Sequence, residues 1–256
     1  MTRESAPADL GRGEPASLTF LGTRANIALR NQRHRRHSVL RIAVAGVVVL
    51  IDCGEDWLPQ LPRLRPTAIV LTHGHTDHVG GLARGASCPV YAPQQVWERL
   101  TMCDLDRQVI HPRESLPIGA LSFEAFPVAH SVRAPAVGYR IATPQASFFY
   151  VPDVVQIQDE RQALSGIELY IGDGSTLTRP ILRYEEGSPV GHTSIEQQIV
   201  WCARNEVPRA IFTHCGSQIL RGDERHLGAE LRRMGRQRGV SARFAHDGMT
   251  MEMGSD

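Results

Sequence analysis

Thr72-His73-Gly74-His75-Thr76-Asp77-His78-Val79-Gly80-Gly81 places three imidazoles and a carboxylate within six consecutive positions, directly after the apolar run Ala68-Ile69-Val70-Leu71. The run reads as a buried strand, so these polar side chains sit at its C-terminal end, where a metal centre can be held rigidly. Imidazole nitrogen and carboxylate oxygen suit a borderline-soft divalent ion better than Ca²⁺ or Mg²⁺, which points to Zn²⁺, with Mn²⁺ or Fe as alternatives. His73 and His75 are two apart and point the same way in an extended or tightly turning segment, so they can share one ion. Asp77 and His78 follow the turn and are placed for a second. The competing account is a polar loop whose histidines are solvated or cap a helix beginning near His78; the spacing argues against it.

The rest of the composition bounds the answer. A chain of 256 residues with 42% hydrophobic content fits one sizeable α/β domain. A net charge of +1 gives no global footprint for nucleic acid or for an acidic substrate, so any electrostatic steering comes from local clusters. All 28 basic residues are arginine, whose planar fork grips phosphate and carboxylate; a bias running through the whole chain reflects genome composition rather than substrate choice. Cys53, Cys88, Cys103, Cys202 and Cys215 form no CxxC pair, which argues against a disulfide framework or a cysteine-bound structural zinc. Residues 1–16 read as a disordered leader with no apolar core of signal-peptide type, and 17–256 as a single domain. No run approaches the ~20 apolar residues of a bilayer span. The expectations are a cytoplasmic protein with no membrane partner, assembled as a homodimer.

Along the chain, residues 17–22 predict a first strand, and 30–37 (Arg-Asn-Gln-Arg-His-Arg-Arg-His) a basic loop before a strand over 38–44. That loop is either a solvated connection or a cationic rim in which Arg33, Arg35 and Arg36 hold a phosphate-bearing substrate. The run 47–51 ends at Asp52, which either orients a ligand imidazole or merely shapes a turn. Short helices are expected over 57–61 and 78–84, and a longer one over 94–103. Strands follow over 121–126, 136–142 and 147–151, with His130 and Asp153 just past strand ends. A strand over 169–171 leads to Asp173, and 210–213 delivers His214. Ser194 or Thr193 caps the helix 195–204, with Gln197 or Glu196 completing a capping box; a last helix is expected over 224–238. The order of strands, helices, strands, helices suggests two facing sheets with helices outside.

His73-Gly74-His75-Thr76-Asp77-His78, followed by His130, Asp153 and His214, resembles in order and separation the pattern of the metallo-β-lactamase-fold hydrolases, over residues 18–253. The resemblance implies an α/β (α+β) four-layer αββα sandwich and two divalent metal ions. His73, His75 and His130 would hold one ion, Asp77, His78 and His214 the other, and Asp153 would bridge them. It also implies a hydroxide shared between the ions as nucleophile, with Asp77 belonging to the catalytic set as well. Gly191-His192-Thr193-Ser194, Phe212-Thr213-His214 and Asp247-Gly248-Met249 resemble the branch that contains ribonuclease Z and the cyclic phosphodiesterase of phosphonate breakdown. There an extra histidine acts on the scissile phosphate or its leaving oxygen. His192 stands at the matching position, with Asp173 as its acidic partner; the alternative is that His192 only caps the following helix. Ser131 and His192 join the three arginines as substrate contacts.

The chain departs from both relatives of that branch. Gly172-Asp173 stands where ribonuclease Z has a histidine-glutamate pair, no Gly/Pro-rich insertion matches its tRNA-gripping arm, and the cysteine-rich zinc site of the phosphonate enzyme is absent. The expected function is therefore a dinuclear-metal phosphodiesterase acting on a small or cyclic phosphodiester. A tRNA 3′-processing endoribonuclease, with RNA as partner, and a hydrolase of carbon esters, lactones or β-lactams are the hydrolytic alternatives. A degenerate nucleic-acid-binding module is the non-enzymatic one, and the intact ligand set argues against it.

Overall fold

Two sheets built on the same plan face one another in a computed structural model that describes residues 14–101 and 104–254. The first, seven-stranded, runs edge to edge through Met249–Met253, Ala16–Gly22, Val39–Val44, Val47–Ile51, Ala68–Val70, Val90–Ala92 and Arg107–Val109. The second runs through Gln156–Ile157, Leu121–Ala129, Ala136–Ala142, Ser147–Tyr150, Leu169–Asp173, Arg209–Thr213 and Ser241–Phe244, with Ser115–Ile118 as an eighth strand beside Leu121–Ala129. In each sheet the leading junctions are antiparallel and the remainder parallel. The change of direction falls at Val47–Ile51 against Ala68–Val70 in the first sheet and at Ser147–Tyr150 against Leu169–Asp173 in the second. Parallel strands put their C-terminal tips on one rim, the usual place for a site in an open α/β sheet. Asp52, Thr72, Asp153, Asp173 and His214 all lie at or just beyond such tips.

Strand alternation sorts the apolar residues into three layers of packing. Leu18, Ile42, Val49 and Val70 of one sheet meet Phe123, Tyr139, Phe148 and Ile171 of the other in the central core. Their neighbours in sequence point outward. Ile69 and Leu71 meet Trp57, Val79 and Trp97 on one side; Phe149, Tyr170 and Phe212 meet Ile195, Ile199 and Leu231 on the other. The result is helix, sheet, sheet, helix. Each fully buried Leu, Ile or Phe contributes about 1.5–3 kcal/mol relative to exposure, so the three clusters together fix which face of every strand is which. The helix Ile195–Arg204 starts where the sequence places it: Ser194 is the N-cap, its Oγ accepting from the Gln197 N–H at 3.2 Å.

Several local expectations need correction. The helix expected over 94–103 is one turn, Gln94–Trp97, and positions 102–103 lie outside the described residues, as do residues 1–13 of the expected leader. The first strand begins at Ala16. Over 57–61 the chain forms a 3₁₀ turn, Glu55–Trp57, and then a short helix, Leu61–Leu64, with Pro62 in its first turn. The helix expected over 78–84 begins earlier, as Thr76–Val79, and gives way to a 3₁₀ turn, Gly80–Leu82. Gly81 packs so closely that a Cβ there would lie 2.5 Å from Cys53 Sγ. A hairpin, Ile181–Glu185 with Ser188–His192, stands apart from both sheets. Its turn uses positive φ at Glu186 (51°) and Gly187 (78°), the type I′ geometry of tight hairpins. Among the described residues no helix is long and apolar enough to cross a membrane.

Candidate metal centre and active site

The motif residues meet at the rim between the sheets, and the carboxylate of Asp52 organises the approach. Asp52 takes a left-handed backbone conformation (φ 64°) at the end of its strand, a strained position for a side chain with a Cβ. Its oxygens accept hydrogen bonds from the Thr72 N–H (2.8 Å), the Thr72 hydroxyl (2.8 Å) and His78 Nδ1 (2.8 Å). Thr72 spends its one hydroxyl hydrogen on Asp52, so its oxygen accepts from His73 Nδ1 at 3.0 Å. Both His73 and His78 are thereby held with Nδ1 turned outward and Nε2 facing the cavity. His130 reaches the same state by donating Nδ1–H to the Gly191 carbonyl at 2.9 Å. Fixing the outer nitrogen of a ligand imidazole in this way sets its tautomer and orientation.

Two ligand sets result. His75 Nδ1 lies 3.0 Å from His73 Nε2 and 3.3 Å from His130 Nε2, with no side chain between them. Nitrogen–metal bonds of ~2.0–2.1 Å at tetrahedral angles give ligand–ligand edges of about 3.3 Å. Beside this set, Asp77 Oδ2 lies 3.2 Å from both His78 Nε2 and His214 Nε2. Asp153 stands between the sets: Oδ2 is 2.9 Å from His78 Nε2 and 3.4 Å from His214 Nε2, while Oδ1 is 3.7 Å from His130 Nε2. Three of these inward atoms, Asp77 Oδ1, His78 Nε2 and Asp153 Oδ2, are buried with no hydrogen-bond partner. A cation between these atoms would satisfy them at full burial. The donor set therefore fits two divalent ions: His73, His75 and His130 for one, Asp77, His78 and His214 for the other, with Asp153 between.

Electrostatics agree with that reading. Burial disfavours charge on His78, but Asp77, Asp52 and Asp153 outweigh it and lift its pKa well above the imidazole range. His214 behaves likewise, burial being overcome by Asp153 and by hydrogen bonds to Asp173 and Asp77, and is pushed up to about 10. On the opposite side, burial and then the charge of His78 drive His73 well down. The acid-rich half of the cage thus favours positive charge, and metal and proton would compete there for the same atoms.

Beyond the cage, His192 stands in the wall of a cleft of about 350 Å³ that opens onto His75, His130, Asp153 and His214. Its Nδ1 is 2.7 Å from Asp173 Oδ2, and Asp173 also accepts from the Val154 and Ser175 N–H groups. Asp173 is itself clamped. Gln198 Oε1 accepts from the Asp173 N–H at 2.9 Å and Gln198 Nε2 donates to the Asp173 carbonyl at 2.8 Å. Burial opposes ionisation of Asp173, but His192 outweighs it and holds the carboxyl down at about 2; burial likewise opposes charge on His192, and Asp173 raises it.

Not every residue expected here is present. Ser131 lines the cleft, whereas Arg33, Arg35 and Arg36 do not. Arg33 pairs with Glu224 at 2.9 Å, Arg36 lies over the Trp57 ring, and the Arg35 and Arg36 N–H groups bind the Asp247 carboxylate. The loop is committed to folding rather than to the rim. The arginine that does line the cleft is Arg183, from the hairpin. Thr72 and Gln198 are further residues the sequence did not single out; Thr72 had the signal of standing directly before the histidine motif, and Gln198 had none, because its target is 25 positions away.

Sheets, rim and cage together define a metallo-β-lactamase fold with a His/Asp cluster suited to metal. The model of the β-lactamase superfamily domain matches residues 48–215, and the chain belongs to that family. Among solved structures, the metallo-β-lactamase fold protein YhfI from Bacillus subtilis aligns with a TM-score of 0.72 and 17% identity, over 94% of this chain and 100% of that one. A diphosphatase of the PhnP family aligns at 0.66 and 22% identity, over 93% and 97%. A ribonuclease Z from Methanopyrus kandleri is 32% identical over 146 residues, 50% of each chain. The chain spans about half the length, or slightly less, of the first curated relatives it matches.

Proposed function

We propose that this chain is a dinuclear-metal phosphodiesterase acting on a small or cyclic phosphodiester. The observation that carries the reading is the 2.7 Å contact between Asp173 Oδ2 and His192 Nδ1 at the edge of the cage. The chemistry a pair of divalent ions, Zn²⁺ foremost, supplies when bound in such a cage is Lewis acidity and a strongly acidified water. The protein's own part is to hold the carboxylates of Asp77 and Asp153 ionised, to orient the imidazoles through Asp52, Thr72 and Gly191, and to keep a proton on His192. With Nδ1 tied to Asp173, the His192 proton available to a substrate is on Nε2. A phosphodiester lying over the cage presents its leaving oxygen to that N–H, which donates as the P–O bond breaks. Hydrolysis of an activated ester, whose leaving group departs unassisted, has less need of such a donor, which favours phosphate over that class. Arg183 at the mouth adds the positive charge that a non-bridging oxygen or neighbouring phosphate would meet.

Turnover of bis(p-nitrophenyl) phosphate, an alkyl phosphodiester, a lactone and a chromogenic cephalosporin tests the reading. Hydrolysis of the carbonyl substrates with neither phosphodiester turned over overturns it.

A second reading, cleavage at the 3′ end of an RNA, is supported by the ribonuclease Z relative and by the hairpin at the mouth, where Tyr184 is 75% exposed. Endonucleolytic cleavage of a tRNA precursor, mapped at its 3′ end, separates it from the small-substrate reading.

A further inference from the structure

A second cavity, about 290 Å³, shares no lining residue with the His/Asp cleft. Arg33 from the basic loop, Arg232 from the helix Glu224–Arg236 and Arg243 from the edge strand Ser241–Phe244 all line it. One carboxylate, Glu224, is also in the wall and is paired with Arg33 at 2.9 Å. Three guanidinium groups against one carboxylate leave a surplus of two positive charges. Among the described residues neither Arg232 nor Arg243 has a carboxylate partner; the one polar contact of Arg243 is a weak one to Met251 Sδ at 3.8 Å. Arg232 folds back over its own helix. A Cβ on Gly228 would come within 3.2 Å of its Nη1, so the glycine leaves the guanidinium room to lie there.

The remaining lining is specific in a different way. Phe244 and Leu227 provide an apolar face. His34, only 6% exposed, provides an acceptor. The Thr23 hydroxyl donates to Asp247 Oδ1 at 2.7 Å, so Thr23 Oγ1 must accept from His34 Nδ1, also 2.7 Å away. That leaves His34 Nε2 as a lone-pair acceptor with no hydrogen bond among the described residues. Burial, and after it the charges of Arg33 and His246, push His34 down to about 4, so the imidazole is neutral at physiological pH. Free guanidinium groups, an apolar face and one buried acceptor make a site that reads an anion and a donor on the same small molecule. A phosphate monoester carries about two negative charges at neutral pH, which matches the surplus.

We propose that this cavity binds a small organic phosphate monoester, with Arg232 and Arg243 on the phosphate and His34 Nε2 accepting from a hydroxyl or amine of the same molecule. The site stands whatever the His/Asp cleft hydrolyses, because the two share no side chain. Its test uses adenosine 5′-monophosphate as the probe on the metal-loaded full chain. Crystals soaked in the nucleotide should show its phosphate between Arg232 and Arg243. In calorimetric titration the double variant R232Q/R243Q should weaken one binding step at least tenfold, with metal content, melting temperature and phosphodiester turnover unchanged, since both arginines are exposed and outside the cage. Adenosine, which lacks the charge, should not bind at that step. Nucleotide found solely in the His/Asp cleft, titrations alike for the two proteins, or adenosine binding as tightly as the nucleotide would each overturn the proposal.

Discussion

Asp52 Oδ2 lies 2.8 Å from His78 Nδ1, and this one contact decides which nitrogen of His78 faces the cage. Removing the outer partner of a ligand imidazole costs roughly 10–100-fold in metal affinity. Asp52→Ala is expected to lose the Asp77, His78, His214 ion first. Metal content after dialysis against a graded series of chelators measures this; retention equal to wild type rules the orienting role out.

The proton on His192 matters in proportion to how poor the leaving group is. His192→Ala is expected to lower kcat on an alkyl phosphodiester by roughly 10²–10⁴-fold, while p-nitrophenolate, which leaves unassisted, departs at near the wild-type rate. Equal losses on both substrates would mean that His192 acts in binding or folding instead.

Gln198 touches no cleft atom, yet it holds the strand tip that carries Asp173. Gln198→Leu strands the Asp173 N–H and the Tyr170 hydroxyl without an acceptor, at about 1–3 kcal/mol for each buried group. Melting temperature should fall by several degrees, and the alkyl-substrate kcat should fall further than KM rises. A stability loss with no change in kcat would confine Gln198 to packing.

Chelation should destabilise the fold as well as silence it. With free metal at 1,000 times its Kd the bound ion contributes about 4 kcal/mol. For a chain of this size that is roughly 8–16 °C of melting temperature. Thermal unfolding with and without a strong chelator reads it directly, and coincident curves would argue that the cage holds no ion.

Asp56 gathers Arg24, Arg30 and the His37 N–H just past the C-terminal tip of Val47–Ile51. Burial works against its ionisation, but His37 and the Arg24 guanidinium outweigh it and hold the carboxyl below the usual 3.8. A depressed folded-state pKa gives stability that is present above the unfolded value and disappears as pH falls through the folded one. The difference in stability between wild type and Asp56→Asn should therefore be full at pH 6 and shrink below about pH 4. A difference that grows on acidification contradicts the sign.

The chain's legibility follows the physics of each segment. The cage could be read because His73, His75, Asp77 and His78 are contiguous and follow a strand whose apolar run is unmistakable. The four layers could be read because strands buried on both faces, such as 68–71 and 147–151, leave long apolar runs. Arg33, Arg35 and Arg36 misled because a charge cluster says nothing of what neutralises it; the carboxylate that ties down the loop, Asp247, is 211 positions from Arg36. The hairpin left no mark because Ile181, Leu182 and Tyr184 are exposed and obey no burial period. The helix at 94 stopped early although its composition suits a longer one.

Four of the cage residues come from the first sheet's half of the chain and three, His130, Asp153 and His214, from the second. A growing polypeptide still short of position 214 cannot complete the chelate, however well its earlier strands have paired. Capture of an ion by Asp77, His78 and His214 would thus have to wait for the second half of the chain, and an ion held there would act as a rivet between two halves that the ribosome delivers one after the other.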